Sequence, residues 1–236
     1  MNLFSEENRK QRPEIAARFD TSWWDVLEEY ICTNERFDRL LIDLDEDRKT
    51  KVIYPDDEDV FKVFKLLPLN EIKVVIIGQD PYFSGNADGL AFSCKNDLSP
   101  SLKQILYAIH KDVNLLVNKN TQSLQLDYLV KQGVFLYNPI LTVEKGTPLS
   151  HAGRGWEDFS REVLKHINKI DNVVWLLWGA KAREYNVCSY NLSHQVLVAE
   201  HPAAAARNQR TRLVDHFSKT NNYLKYKGKE TIKWLS

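Results

Sequence analysis

Four short apolar runs constrain what this chain can fold into. KVVIIG (73–78), VFLYN (134–138), NVVWLLWG (172–179) and QVLVAEH (195–201) are rich in β-branched or aromatic residues. The first shows no apolar–polar alternation. A strand with one wet face alternates, so an unbroken run suits a strand buried on both faces, as in parallel sheets. Helical stretches separate the runs: 101–117, 124–132 with Gly133 as a stop, 156–170 and about 180–185. Strands alternating with helices predict an α/β fold, here a central four-stranded parallel twisted sheet flanked by helices in a single domain. Upstream, SWWDVLEEYI (22–31), with Ser22 as its N-cap, and VFKVFKLLPL (60–69), ended by Pro68, read as helices. Residues 1–21 read as an N-terminal tail or first helix and 22–236 as the α/β domain.

In open α/β sheets, ligands bind beyond the carboxyl ends of the strands. That rule selects four loops: GQDPYF (78–83), NPILT (138–142), GAKAR (179–183) and HPAAAAR (201–207). Three of them hold a polar residue followed by proline: Asp80-Pro81, Asn138-Pro139 and His201-Pro202. Each pair alone reads more readily as a turn. Three such pairs at separate strand exits read better as a site whose side chains are stiffened by proline. The chemistry open to them is narrow. There is no Gly-x-Ser-x-Gly, no Gly-x-Gly-x-x-Gly and no His pair at metal spacing, so neither a cofactor nor a metal is expected. An aspartate stabilises a developing cation and steers a water, a histidine meets a developing anion, and an asparagine amide reads one donor and one acceptor on a base edge. The set suits heterolytic cleavage of a bond between a sugar and a base.

Composition sets the surroundings. Thirty-two basic and thirty-two acidic residues cancel, so overall charge says nothing about nucleic acid. The distribution is uneven: 43–59 is mostly acidic, and 207–233 is basic, a surface for phosphates or simply a solvated helical face. Cys32, Cys94 and Cys188 are odd in number and dispersed, which speaks for a reducing compartment and against a disulfide framework, a zinc site or an iron–sulfur cluster. No apolar run reaches the roughly eighteen residues of a membrane span, and the charged N-terminus does not read as a secretory signal. A cytoplasmic monomer is expected, or a nuclear one in a eukaryotic or viral setting.

With those residues in hand, the chain resembles the family 1 uracil-DNA glycosylases. The resemblance is carried by IYPDDEDVFKVFKLLPLNEIKVVIIGQDPYF, DGLAFSC, LSPS, QGVFLYNPILTVEKGTPLSHAGRGWEDF, VVWLLWGAKA, HPAAAAR and HFSKTN, in family order over roughly residues 22–235. It implies hydrolysis of the bond between uracil and deoxyribose in single- or double-stranded DNA, leaving an abasic site. By resemblance, Asp80 orients the water and stabilises the sugar cation, and His201 meets the charge on the departing base. Gln79 offers a backbone amide, Tyr82 excludes a C5 methyl, Phe92 stacks on the base and Asn138 reads its edge. Pro81, Ser101, Ala180, Ala203, Ala205 and Arg207 fall at the family's DNA-contacting positions.

Four departures stand out. Phe83 replaces a histidine, and HPAAAA replaces HPSPLS, so two serines and an inserting leucine become alanines, with Ala205 at the leucine. Ala180 replaces a serine, and the loop after Asp97 is poor in proline. The expected consequences are a thinned grip on DNA, a preference for easily extruded uracil, and weaker binding of the family's DNA-mimicking inhibitor proteins. Two other readings compete: a uracil-DNA-binding or replication-accessory protein with weak catalysis, and a hydrolase of free nucleosides, which the lack of an Asp-rich metal site disfavours.

Overall fold

The computed structural model describes residues 12–113, 123–186, 191–207, 213 and 215–236; the side chains of residues 205–207 lie outside that description. The four apolar runs form strands β2 (Val74–Ile77), β3 (Val134–Tyr137), β5 (Val174–Trp178) and β6 (Gln195–Ala199). They join in one parallel sheet of order β3-β2-β5-β6. Strands β2, β3 and β5 are buried at every position, which explains their missing alternation. Strand β6 pairs only with β5 and is partly exposed, as befits an edge. Two further short strands, β1 (Ile53–Tyr54) and β4 (Val143–Glu144), make a separate antiparallel pair that the apolar pattern does not announce.

Helices α1 (Pro13–Ala16), α2 (Thr21–Thr33), α3 (Glu35–Thr50) and α4 (Lys62–Leu66) precede the sheet. Helices α5 (Pro100–Val113) and α6 (Asp127–Val130) lead to β3, α7 (Trp156–Ile167) leads to β5, and α8 (Ala180–Glu184) leads to β6. Helices α9 (Pro202–Arg207) and α10 (His216–Tyr226) follow. The N-cap of α2 is Asp20 rather than Ser22: its carboxylate accepts from the Ser22 N–H at 2.9 Å and from the Ser22 hydroxyl at 2.6 Å. Ser22 is thereby placed to receive the Leu69 N–H at 2.9 Å. The helix at 60–69 shrinks to α4, with the Leu67 carbonyl taken by the Trp23 indole N–H at 2.8 Å.

An aromatic layer fills one side of the sheet. Trp23 and Phe64 meet Phe135 at ring separations of 5.3 and 5.6 Å, and Phe37 stacks on Phe159 at 4.9 Å. Such pairs contribute roughly 0.5–1.5 kcal/mol each beyond simple burial. Elsewhere α10 covers Trp178 through Phe217 at 6.2 Å, and Trp178 donates to His216 Nδ1 at 3.1 Å. Asp112 of α5 caps α10 from outside, accepting from the backbone N–H groups of Phe217 and Ser218 at 2.8 and 2.9 Å. No helix among the described residues is long and apolar enough to cross a membrane.

Candidate active site

Register decides which residues meet. Ile77 pairs with Tyr137 and with Leu177, and Trp178 pairs with Ala199. The residues that follow, Gly78, Asn138, Gly179 and Glu200-His201, therefore leave the sheet at one edge. A cavity of about 140 Å³ opens there, lined by Gln79, Asp80, Pro81, Tyr82, Phe92, Ser101, Asn138 and His201 together with Gly78, Phe83, Ala87, Gly89 and Leu90. A cavity of about 150 Å³ holds one six-membered ring, so the space suits a single heterocycle rather than a whole nucleotide.

Each polar group is held by its own neighbours. Asp80 is half-buried and accepts from the Leu149 N–H at 2.8 Å. Burial pushes its carboxyl above the usual carboxylate range, and the backbone donors partly offset this. Leu149 sits at φ 59°, a left-handed conformation unusual for leucine that presents its N–H to Asp80. Asn138 is 9% exposed and held from both sides: the Tyr137 hydroxyl lies 2.6 Å from Ser160 Oγ, and Ser160 Oγ donates to the Pro139 carbonyl at 2.6 Å. The Asn138 and Asp80 loops are stitched together by Ile140 N–H to the Gln79 carbonyl at 3.2 Å. Gly78 is required: a Cβ there would lie 2.1 Å from Asn138 Oδ1.

His201 accepts at Nδ1 from the Ala203 N–H at 3.2 Å. In the neutral ring the proton then resides on Nε2, the other nitrogen of a ring that lines the cavity. Phe92, at φ 65°, packs 5.8 Å from His201 and 5.7 Å from Trp178, which fixes its ring as a cavity wall. Tyr82 is tied back through its hydroxyl, 2.7 Å from Ser99 Oγ, and burial raises its pKa. Ser99 also accepts the Leu102 N–H at 3.1 Å and so caps α5.

Eight of the sequence-selected residues therefore share one cavity: Gln79, Asp80, Pro81, Tyr82, Phe92, Ser101, Asn138 and His201. Ser101 lies in the first turn of α5. Ala180, exposed as the first residue of α8, and Ala203, whose N–H serves His201, do not line the cavity. The side chains of Ala205 and Arg207 lie outside the described residues. Sequence reasoning missed the supporting residues. Asp88, 1% exposed, accepts from the Leu90 N–H at 3.2 Å and from the Ser93 hydroxyl, and faces Lys62 at 3.9 Å. It fixes the loop carrying Phe92, and a lone acid at the head of the apolar DGLAFSC run is the signal that would have found it. Ser99 was legible as a Ser-Pro helix start. Leu149 acts through its backbone N–H, and its side chain gave no signal.

Residues 64–225 match the family model described as the uracil DNA glycosylase superfamily. The chain is 38% identical over 222 residues to the uracil-DNA glycosylase of Acinetobacter baylyi, covering 92% of each chain. It is also 38% identical over 224 residues to that of Borrelia duttonii, covering 92% of this chain and 99% of the relative. Among solved structures it resembles mimivirus uracil-DNA glycosylase with a TM-score of 0.83 at 25% identity, covering 96% of this chain and 92% of that one. A match across most of the chain, on the fold and the cavity described above, means that the chain belongs to the uracil-DNA glycosylase superfamily.

Proposed function

We propose that this protein is a monofunctional uracil-DNA glycosylase of the family 1 type, acting on uracil in single- or double-stranded DNA as a hydrolase in base excision repair. The observation that carries this reading is the convergence of Asp80, Asn138 and His201 on one ring-sized cavity at the carboxyl edge of the sheet. A cytoplasmic or nuclear setting accords with that role.

Flipping the nucleotide out of its stack brings the base into the cavity. Phe92 then supports one face of the ring, and Tyr82, fixed by Ser99, stands where a C5 methyl would go. The Asn138 amide pairs with the N3–H and O4 edge of uracil. Cytosine presents the opposite pattern and would leave buried polar groups unpaired. The bond between C1′ and N1 breaks heterolytically and its electron pair leaves with the base. His201 Nε2–H meets the charge that develops on O2; a preorganised donor of this kind contributes about 2.7–4 kcal/mol to barrier lowering. The Asp80 carboxylate faces the sugar cation, and a water attacks C1′, losing its proton to that carboxylate. A variant of the mimivirus enzyme has been solved in complex with UGI. An inhibitor of that kind should bind this chain weakly, because alanine occupies position 205.

The test is incubation with a uracil-containing oligonucleotide and a chelator. Free uracil and an alkali-labile site without a strand nick are expected. Complete loss of activity in chelator, or a nick left without alkali, would overturn the reading. Tight binding of uracil-DNA with negligible turnover would favour the accessory-protein reading, which the altered HPAAAA loop motivates.

A further inference from the structure

Phe83 follows Tyr82 and is among the residues that line the cavity, yet it is 42% exposed. Two other apolar residues stand exposed beside site residues on separate segments. Leu149, whose N–H binds Asp80, is 39% exposed, and Leu98, next to the Ser99 that holds Tyr82, is 44% exposed. Exposed apolar surface on segments that carry site residues marks a contact surface. The Phe83 main chain is held: its carbonyl accepts from the Gly146 N–H at 3.0 Å. A partly exposed ring on a held backbone can receive a second flat group. A phenyl ring has no hydrogen-bond donor, so it cannot hold a phosphate; what it offers is a π-face.

When a nucleotide leaves the stack, the base next to it loses a stacking partner. We infer that Phe83 is a stacking platform for the nucleobase adjacent to the extruded uracil on the same strand, and that it sets a preference for uracil with an unpaired flank. The inference rests on the glycosylase reading. It makes Phe83 a specificity-determining residue whose contribution is indifferent to sequence, because every base has a π-face.

The experiment compares kcat/KM on single-stranded oligonucleotides in which the base 5′ or 3′ of uracil is present or replaced by an abasic tetrahydrofuran spacer. The enzymes are the unaltered protein and the Phe83→Tyr, Phe83→Leu and Phe83→Ala variants. Removing one of the two flanking bases should lower kcat/KM about five-fold or more in the unaltered protein and in Phe83→Tyr. The same removal should change Phe83→Leu and Phe83→Ala by less than about two-fold, since they lack the ring. Because position 83 is exposed, all three variants should fold, and the leucine variant preserves bulk. No loss from either spacer in the unaltered protein, or an equal loss in Phe83→Leu, would overturn the inference while leaving uracil release intact. If the unaltered protein releases no uracil from any oligonucleotide, the glycosylase reading falls and this inference falls with it.

Discussion

At Asp80, burial and chemistry pull in opposite directions. Burial raises the carboxyl pKa and the Leu149 N–H offsets part of the rise, while the proposed reaction needs the anion. Because the folded pKa lies above the unfolded value of about 3.9, the native state holds the proton more tightly across that window. Stability therefore falls as pH rises through it, and the ionised Asp80 is a burden at neutral pH. Asp80→Asn is expected to cut kcat about a hundred-fold or more with little change in DNA binding, and to raise the melting temperature at neutral pH. That thermal gain should vanish below about pH 4. Single-turnover kinetics and melts at two pH values check both parts, and a near-normal rate would defeat the assignment. Asp80, Asn138 and His201 were legible because each stands at a strand exit and precedes a proline. Leu149 was not, since it contributes a main-chain N–H from 69 residues away.

Among the elements, the junction of β3 with α7 decides how firmly the base edge is read. Ser160 joins the Tyr137 hydroxyl to the Pro139 carbonyl and so brackets Asn138. Ser160→Ala should leave the fully buried Tyr137 hydroxyl unpaired and cost about 1–3 kcal/mol of stability. It should also loosen Asn138, so that kcat/KM falls and discrimination against cytosine narrows. Denaturant titration and competition between uracil and cytosine substrates measure the two effects; unchanged discrimination would confine Ser160 to a structural role. Ser99→Ala similarly removes the cap of α5 and the shorter of two hydrogen bonds at the Tyr82 hydroxyl, leaving the one to the Phe92 carbonyl at 3.3 Å. A loss of about 1 kcal/mol and some release of thymine are expected, the latter read by incubation with T·G oligonucleotides. The sheet was legible because full burial wrote unbroken apolar runs. Helix α3 was hidden in an acidic stretch, although Phe37, Leu40 and Leu44 form its buried stripe. The cap of α10 lies on Asp112, beyond any local pattern, and the β1–β4 pair is too short to write one.

Across the whole molecule, acid should find the weak point at His151. Its Nδ1 lies 2.7 Å from Thr142 Oγ1, and that oxygen accepts from the Trp156 indole N–H at 2.7 Å. Burial, reinforced by Arg154, lowers its pKa to about 4, with Asp47 and Glu144 opposing and Lys51 assisting. An unfolded histidine titrates near 6.5, so the unfolded chain takes up the proton first, and stability is lost as pH falls from about 6.5 towards 4. The loss from this residue is on the order of 3 kcal/mol, and His166, His194 and His216, also shifted downward by burial, add to it. Urea titrations at pH 7 and pH 5 should show the decline, with a shallower one in His151→Gln; identical stabilities at both pH values would refute it. The place of His201 has a consequence for synthesis. It stands just past β6, the last strand among the described residues and an edge strand that pairs there with β5 alone. On the proposed roles, the groups that grip a base emerge from the ribosome before the group that lets it depart. A nascent or prematurely terminated chain therefore lacks a working centre, and the genome is spared abasic sites made by an enzyme still being built.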